Sequence, residues 1–342
     1  MNFFKPFLLL ALFSTPAFSQ DETKLESEPV AATQQQSQAE EQAVTAVETV
    51  KAPTALQWLQ RLTHSMRTLN FDTSFVVVRN NRAEPYRWLH GISNEQELEL
   101  ITLLNGPRKE AIRLGDTVSY FESDKSPYSV RSNSIRAPIP AALFGDIEKL
   151  QATYNFIGVG KSRILGRPAQ LVRLESKDKQ RFGYWLWLDI ESGLLLKVAV
   201  ISRAGELLEQ IQFTHLMITE QSNDLLQQLT TAALPEPLSG NTMEVELPWQ
   251  VNWLPAGFEL IKSSKRNIQK VDAEVETLMF NDGLVDVSVY VLASDEAPRK
   301  ATVNQTGATV LLSTLRDGYE ITVVGKIPAQ TANSIAESIS FN

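Results

Sequence analysis

The sequence predicts a mainly β (α+β) chain: one large antiparallel sheet or open barrel, then a smaller β-rich unit. Three observations carry that expectation. Alternating apolar and polar runs recur about every 8–12 residues from Phe71 to Met217. Turn signals rather than helices separate them, so no βαβ rhythm appears. A stretch rich in proline, Leu234-Pro235-Glu236-Pro237-Leu238-Ser239-Gly240, then divides the chain before a second set of such runs.

The chain of 342 residues opens on a targeting signal over 1–19. Lys5 supplies its positive end, Phe7 to Phe13 its short apolar stretch, and Ala17-Phe18-Ser19 a small-residue cleavage site before Gln20. Thr15-Pro16 interrupts the apolar run well short of the roughly 20 residues a membrane span needs. An exported protein is expected. Residues 20–53 hold six Gln, seven acidic and two basic residues and no aromatic. Such a composition buries too little surface to offset chain entropy, so a disordered acidic arm is expected there.

Order is expected from Thr54, where Thr54-Ala55-Leu56-Gln57 forms a capping box behind Pro53. Leu56, Leu59, Leu62 and Met66 recur at helical spacing up to about Asn70. The period then changes to two. Strands are expected at 71–79, 86–92, 98–104, 110–114, 117–122, 154–161, 170–175, 181–189, 195–201 and 207–217. A short helix is expected at 223–233, which completes a large domain over 54–233. After the linker 234–240, a small C-terminal domain over 241–342 carries strands through Lys262, Leu278, Val287 and Val310 and a last one over 320–324. Asn281-Asp282-Gly283 signals a hairpin. Pro328 opens a terminal helix with Ala332, Ile335, Ala336 and Ile339 on one face.

Composition narrows the chemistry. There is no cysteine, hence no disulfide, thiolate metal site or cysteine nucleophile. A net charge of −8 argues against electrostatic nucleic-acid binding. The three histidines, His64, His90 and His215, fall on separate elements and form no metal-ligand spacing. Gly158-Val159-Gly160-Lys161-Ser162 ends like a phosphate-binding loop, but the pattern needs glycine at position 155, which is Asn155. A dinucleotide fingerprint fails at Arg163. No G-x-S-x-G elbow supports a Ser/His/Asp triad. Asp124, Asp189 and Glu191 lie beside turns and are expected to be solvated. No catalytic, metal or cofactor site is therefore assigned, and the chain is not expected to be an enzyme.

One strand stands apart. Arg181 to Asp189 is apolar on both faces, whereas a half-solvated strand alternates. Phe182, Tyr184, Leu186 and Leu188 lie on one face, Gly183, Trp185 and Trp187 on the other. Either this is a central strand under a helix, or the face with Phe182, Tyr184, Leu186 and Leu188 lines a cavity for acyl chains. Spacing alone does not say which face points inward.

Several blocks now acquire meaning together. Leu104-Asn105-Gly106-Pro107-Arg108-Lys109-Glu110, Asp116-Thr117-Val118-Ser119-Tyr120-Phe121, and Tyr154-Asn155-Phe156-Ile157-Gly158-Val159-Gly160 resemble the RseB/MucB family. So do Trp187-Leu188-Asp189, Gly205-Glu206-Leu207-Leu208-Glu209-Gln210, Trp253-Leu254-Pro255-Ala256-Gly257-Phe258, and Ile321-Thr322-Val323-Val324-Gly325-Lys326-Ile327-Pro328. They keep the family's order over 54–342, and the arm at 20–53 is the main departure. The resemblance implies a periplasmic negative regulator of the sigma-E (AlgU-type) envelope-stress response. Such a protein binds the periplasmic part of a membrane-spanning anti-sigma factor, RseA/MucA-like, and shields it from regulated proteolysis. It implies a large domain like the LolA/LolB lipoprotein carriers, a half-open antiparallel barrel with helices at its mouth. Lipopolysaccharide or the acyl chains of lipoproteins are the releasing signals it implies, and a homo-oligomer stays open. The alternative is a lipoprotein carrier of the LolA type, which 54–220 alone would fit but which has no place for 241–342. A periplasmic hydrolase is a third class.

Overall fold

The capping box starts the fold. In the computed structural model, which describes residues 52–135, 138–237, 245–268 and 273–342, Thr54 Oγ1 accepts from the Gln57 amide at 3.2 Å. The Thr54 amide donates back to Gln57 Oε1 at 2.8 Å. Together they satisfy two donors at a helix start that has no intrahelical acceptors. Helix α1 (Ala55–Thr68) follows and buries Trp58, Leu59, Leu62 and Met66 along one stripe. The signal at 1–19 and the arm up to residue 51 lie outside the described residues, as do positions 238–240 of the linker.

Eleven strands make the large sheet. In chain order they are β1 (Asn70–Arg79), β2 (Arg82–Ser93), β3 (Gln96–Leu103), β4 (Lys109–Leu114), β5 (Thr117–Glu122), β6 (Tyr128–Arg131), β7 (Tyr154–Ile164), β8 (Arg167–Ser176), β9 (Gly183–Asp189), β10 (Leu195–Ile201) and β11 (Leu207–Thr219). The spatial order is β6-β5-β4-β3-β2-β1-β11-β10-β9-β8-β7. Each neighbour is antiparallel, and β1 beside β11 joins the two meanders. The outermost strands β6 and β7 do not pair, so the sheet is open rather than a closed barrel. Two 3-10 helices between them, Ala141–Phe144 and Ile147–Ala152, pack beside α1 over one face. There Phe144 meets the Trp88 ring edge-on at 5.7 Å. Helix α2 (Asp224–Leu229) is shorter than expected and seals Leu226 with Leu89 and Leu98.

The second set begins with β12 (Trp249–Val251). A six-stranded sheet follows: β13 (Glu259–Ile268), β14 (Ala273–Asn281), β15 (Asp286–Ala293), β16 (Arg299–Thr306), β17 (Thr309–Arg316) and β18 (Tyr319–Gly325), in the order β13-β14-β15-β18-β17-β16. Helix α3 (Ala329–Glu337) buries Ala332, Ile335 and Ala336. Ile339, expected on that helix, lies beyond its end in β19 (Ile339–Phe341), which pairs with β12. One apolar core runs from α1 and the large sheet into the small sheet, taking in Val287, Val289, Leu312, Ile321 and Val323.

Candidate binding cleft between the two sheets

The two sheets are fastened by a buried charge. Arg181, at the head of β9, has its side chain sealed from solvent. Its guanidinium bonds the carboxylates of Asp178 and Asp282 and the Ala256 carbonyl, and lies over the Phe258 ring at 5.0 Å. Burial works against the charge, but the bonds to Asp282 and Asp178 outweigh it and hold the guanidinium above its ordinary pKa. Asp282 sits in the β14–β15 hairpin turn, where its Oδ1 also accepts from the amides of Leu284 (2.9 Å) and Val285 (2.7 Å). The Asn-Asp-Gly turn legible in the sequence is thus the small sheet's grip on the large one. Gly257, at φ +85°, lets the Trp253–Phe258 segment close over this site, because a Cβ there would lie 2.8 Å from Thr153 Cγ2.

Further ties run in parallel. Lys326 Nζ donates to Glu209 Oε1 at 2.7 Å, and the Glu209 side chain is 2% exposed. The Gly307 amide donates to Asn80 Oδ1 at 2.9 Å, and Thr331 Oγ1 donates to the Gln180 carbonyl at 3.0 Å.

Between these ties the sheets leave a cleft. One part, about 560 Å³, is lined by Tyr184, Ile139, Ile261, Leu284, Val324 and Lys326, among others. A second part, about 390 Å³, is lined by Tyr86, Tyr120, Tyr128, Arg79, Glu209 and Lys326, among others. The two share Pro138, Thr309 and Lys326 and form one groove. Its walls mix aliphatic and aromatic side chains with serine, asparagine and threonine and with charges of both signs, which suits an extended chain with apolar and polar side chains. Burial, with Glu84 beside it, pushes the Tyr86 phenol up to about 12. Burial likewise drives Tyr184 far above its ordinary value, so both rings stay neutral. The Tyr154 hydroxyl, behind Tyr184, is buried without a hydrogen-bond partner among the described residues.

The candidate strand has its two faces resolved by burial. Phe182, just before β9, is 5% exposed, Tyr184 2%, and Leu186 and Leu188 0%, all within the shared core. Of these, Tyr184 also lines the cleft. Trp185 and Trp187 face outward and are partly exposed. Asp189 corrects the expectation of a solvated turn acid. Its side chain is fully buried and takes two bonds from Arg167, at 3.0 and 2.9 Å, and one from Ser192 Oγ at 2.6 Å. Burial pushes its pKa up, but those bonds prevail and hold it below the ordinary carboxylate value. The basic turn at Gly106 to Glu110 is exposed, apart from Glu110. There Arg108 pairs with Glu110 at 2.6 Å and covers the Phe121 ring at 5.2 Å.

The histidines stay apart. His64 is on α1 and His215 on β11, while His90 is buried in β2, stacked on Phe71 at 5.0 Å with Nδ1 2.7 Å from the Leu69 carbonyl oxygen. Among the described residues, no three acidic or histidine side chains converge as metal ligands.

The MucB/RseB N-terminal domain model matches residues 54–238 and the MucB/RseB C-terminal domain model residues 243–340. The sigma-E factor regulatory protein RseB of Escherichia coli K12 is 32% identical over 285 residues, 83% of this chain and 89% of that protein. The sigma factor AlgU regulatory protein MucB of Pseudomonas aeruginosa is 30% identical over 300 residues, 86% of this chain and 93% of that protein. The solved MucA/MucB complex of Pseudomonas aeruginosa superposes with a TM-score of 0.68 at 30% identity, covering 84% of this chain and 99% of the matched one.

Proposed function

The chain belongs to the MucB/RseB family, and from that premise we propose that it is a periplasmic, non-enzymatic regulator of a sigma-E-type response. It holds the periplasmic segment of a MucA/RseA-like anti-sigma factor in the cleft between its two sheets and so keeps proteases from it. The observation that carries this reading is the cleft itself. It is lined from both sheets and fastened by Arg181–Asp282 and Lys326–Glu209. Support also comes from relatives named as sigma-factor regulators and from the solved pairing of MucB with MucA. On this reading 54–233 and 241–342 act as two domains gripping one peptide.

Phe182, Tyr184, Leu186 and Leu188 belong to the same proposal as an acyl site. Tyr184 stands where the cleft meets the inner face, so an acyl chain would enter past it by displacing side chains of the core. The test is a titration of the anti-sigma factor's periplasmic segment into the mature chain and into Lys326→Glu. Removing the cation shared by both parts of the cleft is expected to weaken binding at least tenfold, about 1.4 kcal/mol. Equal affinity for the two proteins would move the site elsewhere.

A further inference from the structure

The outer face of β9 has no role in the cleft or the core. Trp185 and Trp187 stand side by side on it with ring centroids 6.2 Å apart. In register, Trp185 lies opposite Arg173 on β8 and Ala199 on β10, and Trp187 opposite Leu171 and Lys197. The same rows continue through Gln210 and Gln212 to Val78 and Val76 on β1. The solvent side of an antiparallel sheet ordinarily carries the polar half of the alternation. Here two indoles stand among Arg173, Lys197, Gln210 and Gln212, with Leu171, Val76 and Val78 in the same rows.

The two cations on this face differ in availability. Arg173 lies over Trp185 at 5.3 Å and pairs with Glu175. Lys197 Nζ lies over Trp187 at 4.9 Å, and among the described residues no carboxylate pairs with it. Burial alone lowers the Lys197 pKa, with no acid to offset it. A partly desolvated ammonium without a counter-ion is a cost that an incoming anion relieves. An indole with one apolar side and one N–H is suited to the boundary between hydrocarbon and water.

We propose that the outer face around Trp185, Trp187 and Lys197 docks on the surface of an anionic phospholipid bilayer. The indoles sit at headgroup depth, and Lys197 meets lipid phosphates. The whole chain carries −8, so attraction is confined to this patch and needs anionic lipid. The proposal is independent of the cleft and of the inner acyl face.

The test is co-sedimentation of the full mature chain with phosphatidylglycerol/phosphatidylcholine vesicles and with phosphatidylcholine vesicles, at low and raised salt. Binding is expected to the anionic vesicles alone and to weaken with salt. Lys197→Gln and Trp187→Ser are each expected to lower it about tenfold, Lys197→Arg to retain it, and all three to bind the anti-sigma segment as before. Unfolding midpoints check that each variant is folded, and Lys197→Glu, a partly exposed change, serves if Trp187→Ser is not. The proposal is overturned if the unaltered chain stays in the supernatant. It is overturned equally if Lys197→Gln and Lys197→Glu sediment like the parent, or if only a soluble acidic peptide binds this face.

Discussion

Replacing Arg181 with methionine keeps the volume and removes the charge that ties the two sheets. The Asp282 carboxylate, fully buried, would then keep its bonds from the Leu284 and Val285 amides but lose its guanidinium. Removing one partner of a buried ion pair costs about 3–5 kcal/mol, because the other charge is left desolvated. No discount for solvent screening applies, since both side chains are 0% exposed. Against a typical total stability of about 5–15 kcal/mol, that loss is large. It falls on the contact between β9 and the β14–β15 turn, so urea unfolding followed by circular dichroism should change from one transition to two. Adding Asp282→Asn removes the orphaned charge, and the double variant should recover at least about 1.5 kcal/mol relative to additivity. A loss below about 1 kcal/mol with additive single effects would refute the idea that this pair holds the sheets together.

Leu186→Ala should cost about 2–5 kcal/mol in the same denaturation assay, because the side chain is sealed in the core. Trp187→Ala, on the partly exposed outer face, should cost clearly less, and a reversed order would overturn the assignment of the faces. Burial lowers the His90 pKa, against the opposing pull of Glu99. The unfolded chain therefore takes up the proton first as pH falls below its ordinary value of about 6.5. This contribution to stability is full above that pH and is lost beneath it. A His90→Gln series should flatten the stability profile between about pH 7 and pH 5, which denaturation at stepped pH would read.

How much was legible depended on whether a residue's partners are near in sequence. The capping box at Thr54, the period change at Phe71 and the hairpin at Asn281 are local, and each is where the sequence puts it. Strand β16 is not legible in the sequence, because every one of its residues is exposed and no alternation marks it. Strands β6, β12 and β19 are too short to carry a period. Arg181 and Asp282 lie 101 residues apart and Lys326 and Glu209 117, so no spacing rule joins them. Arg181 did leave one signal, a charge at the head of a strand apolar on both faces. The burial of Asp189 is hidden for the same reason: the turn beside it is visible in the sequence, while Arg167, its partner across the sheet, is not.

If acyl chains enter as proposed, Tyr184 is where an acyl ligand and a peptide would influence one another. It belongs to the inner face of β9 and also lines the cleft, so a chain entering past it takes space from whatever occupies the groove. Binding of the two is then mutually unfavourable, and by linkage each weakens the other by the same factor. Shifting a complex from almost fully formed to almost fully released needs about 5.5 kcal/mol of differential affinity. A buried methylene contributes about 0.8 kcal/mol at most, so about seven must be buried before that is reached. More are required where core side chains such as Leu186 have to move. Release in a competition assay should therefore show a threshold in acyl length, with short-chain analogues leaving the peptide in place. A graded release that begins with the shortest chains would mean the ligand acts elsewhere than past Tyr184.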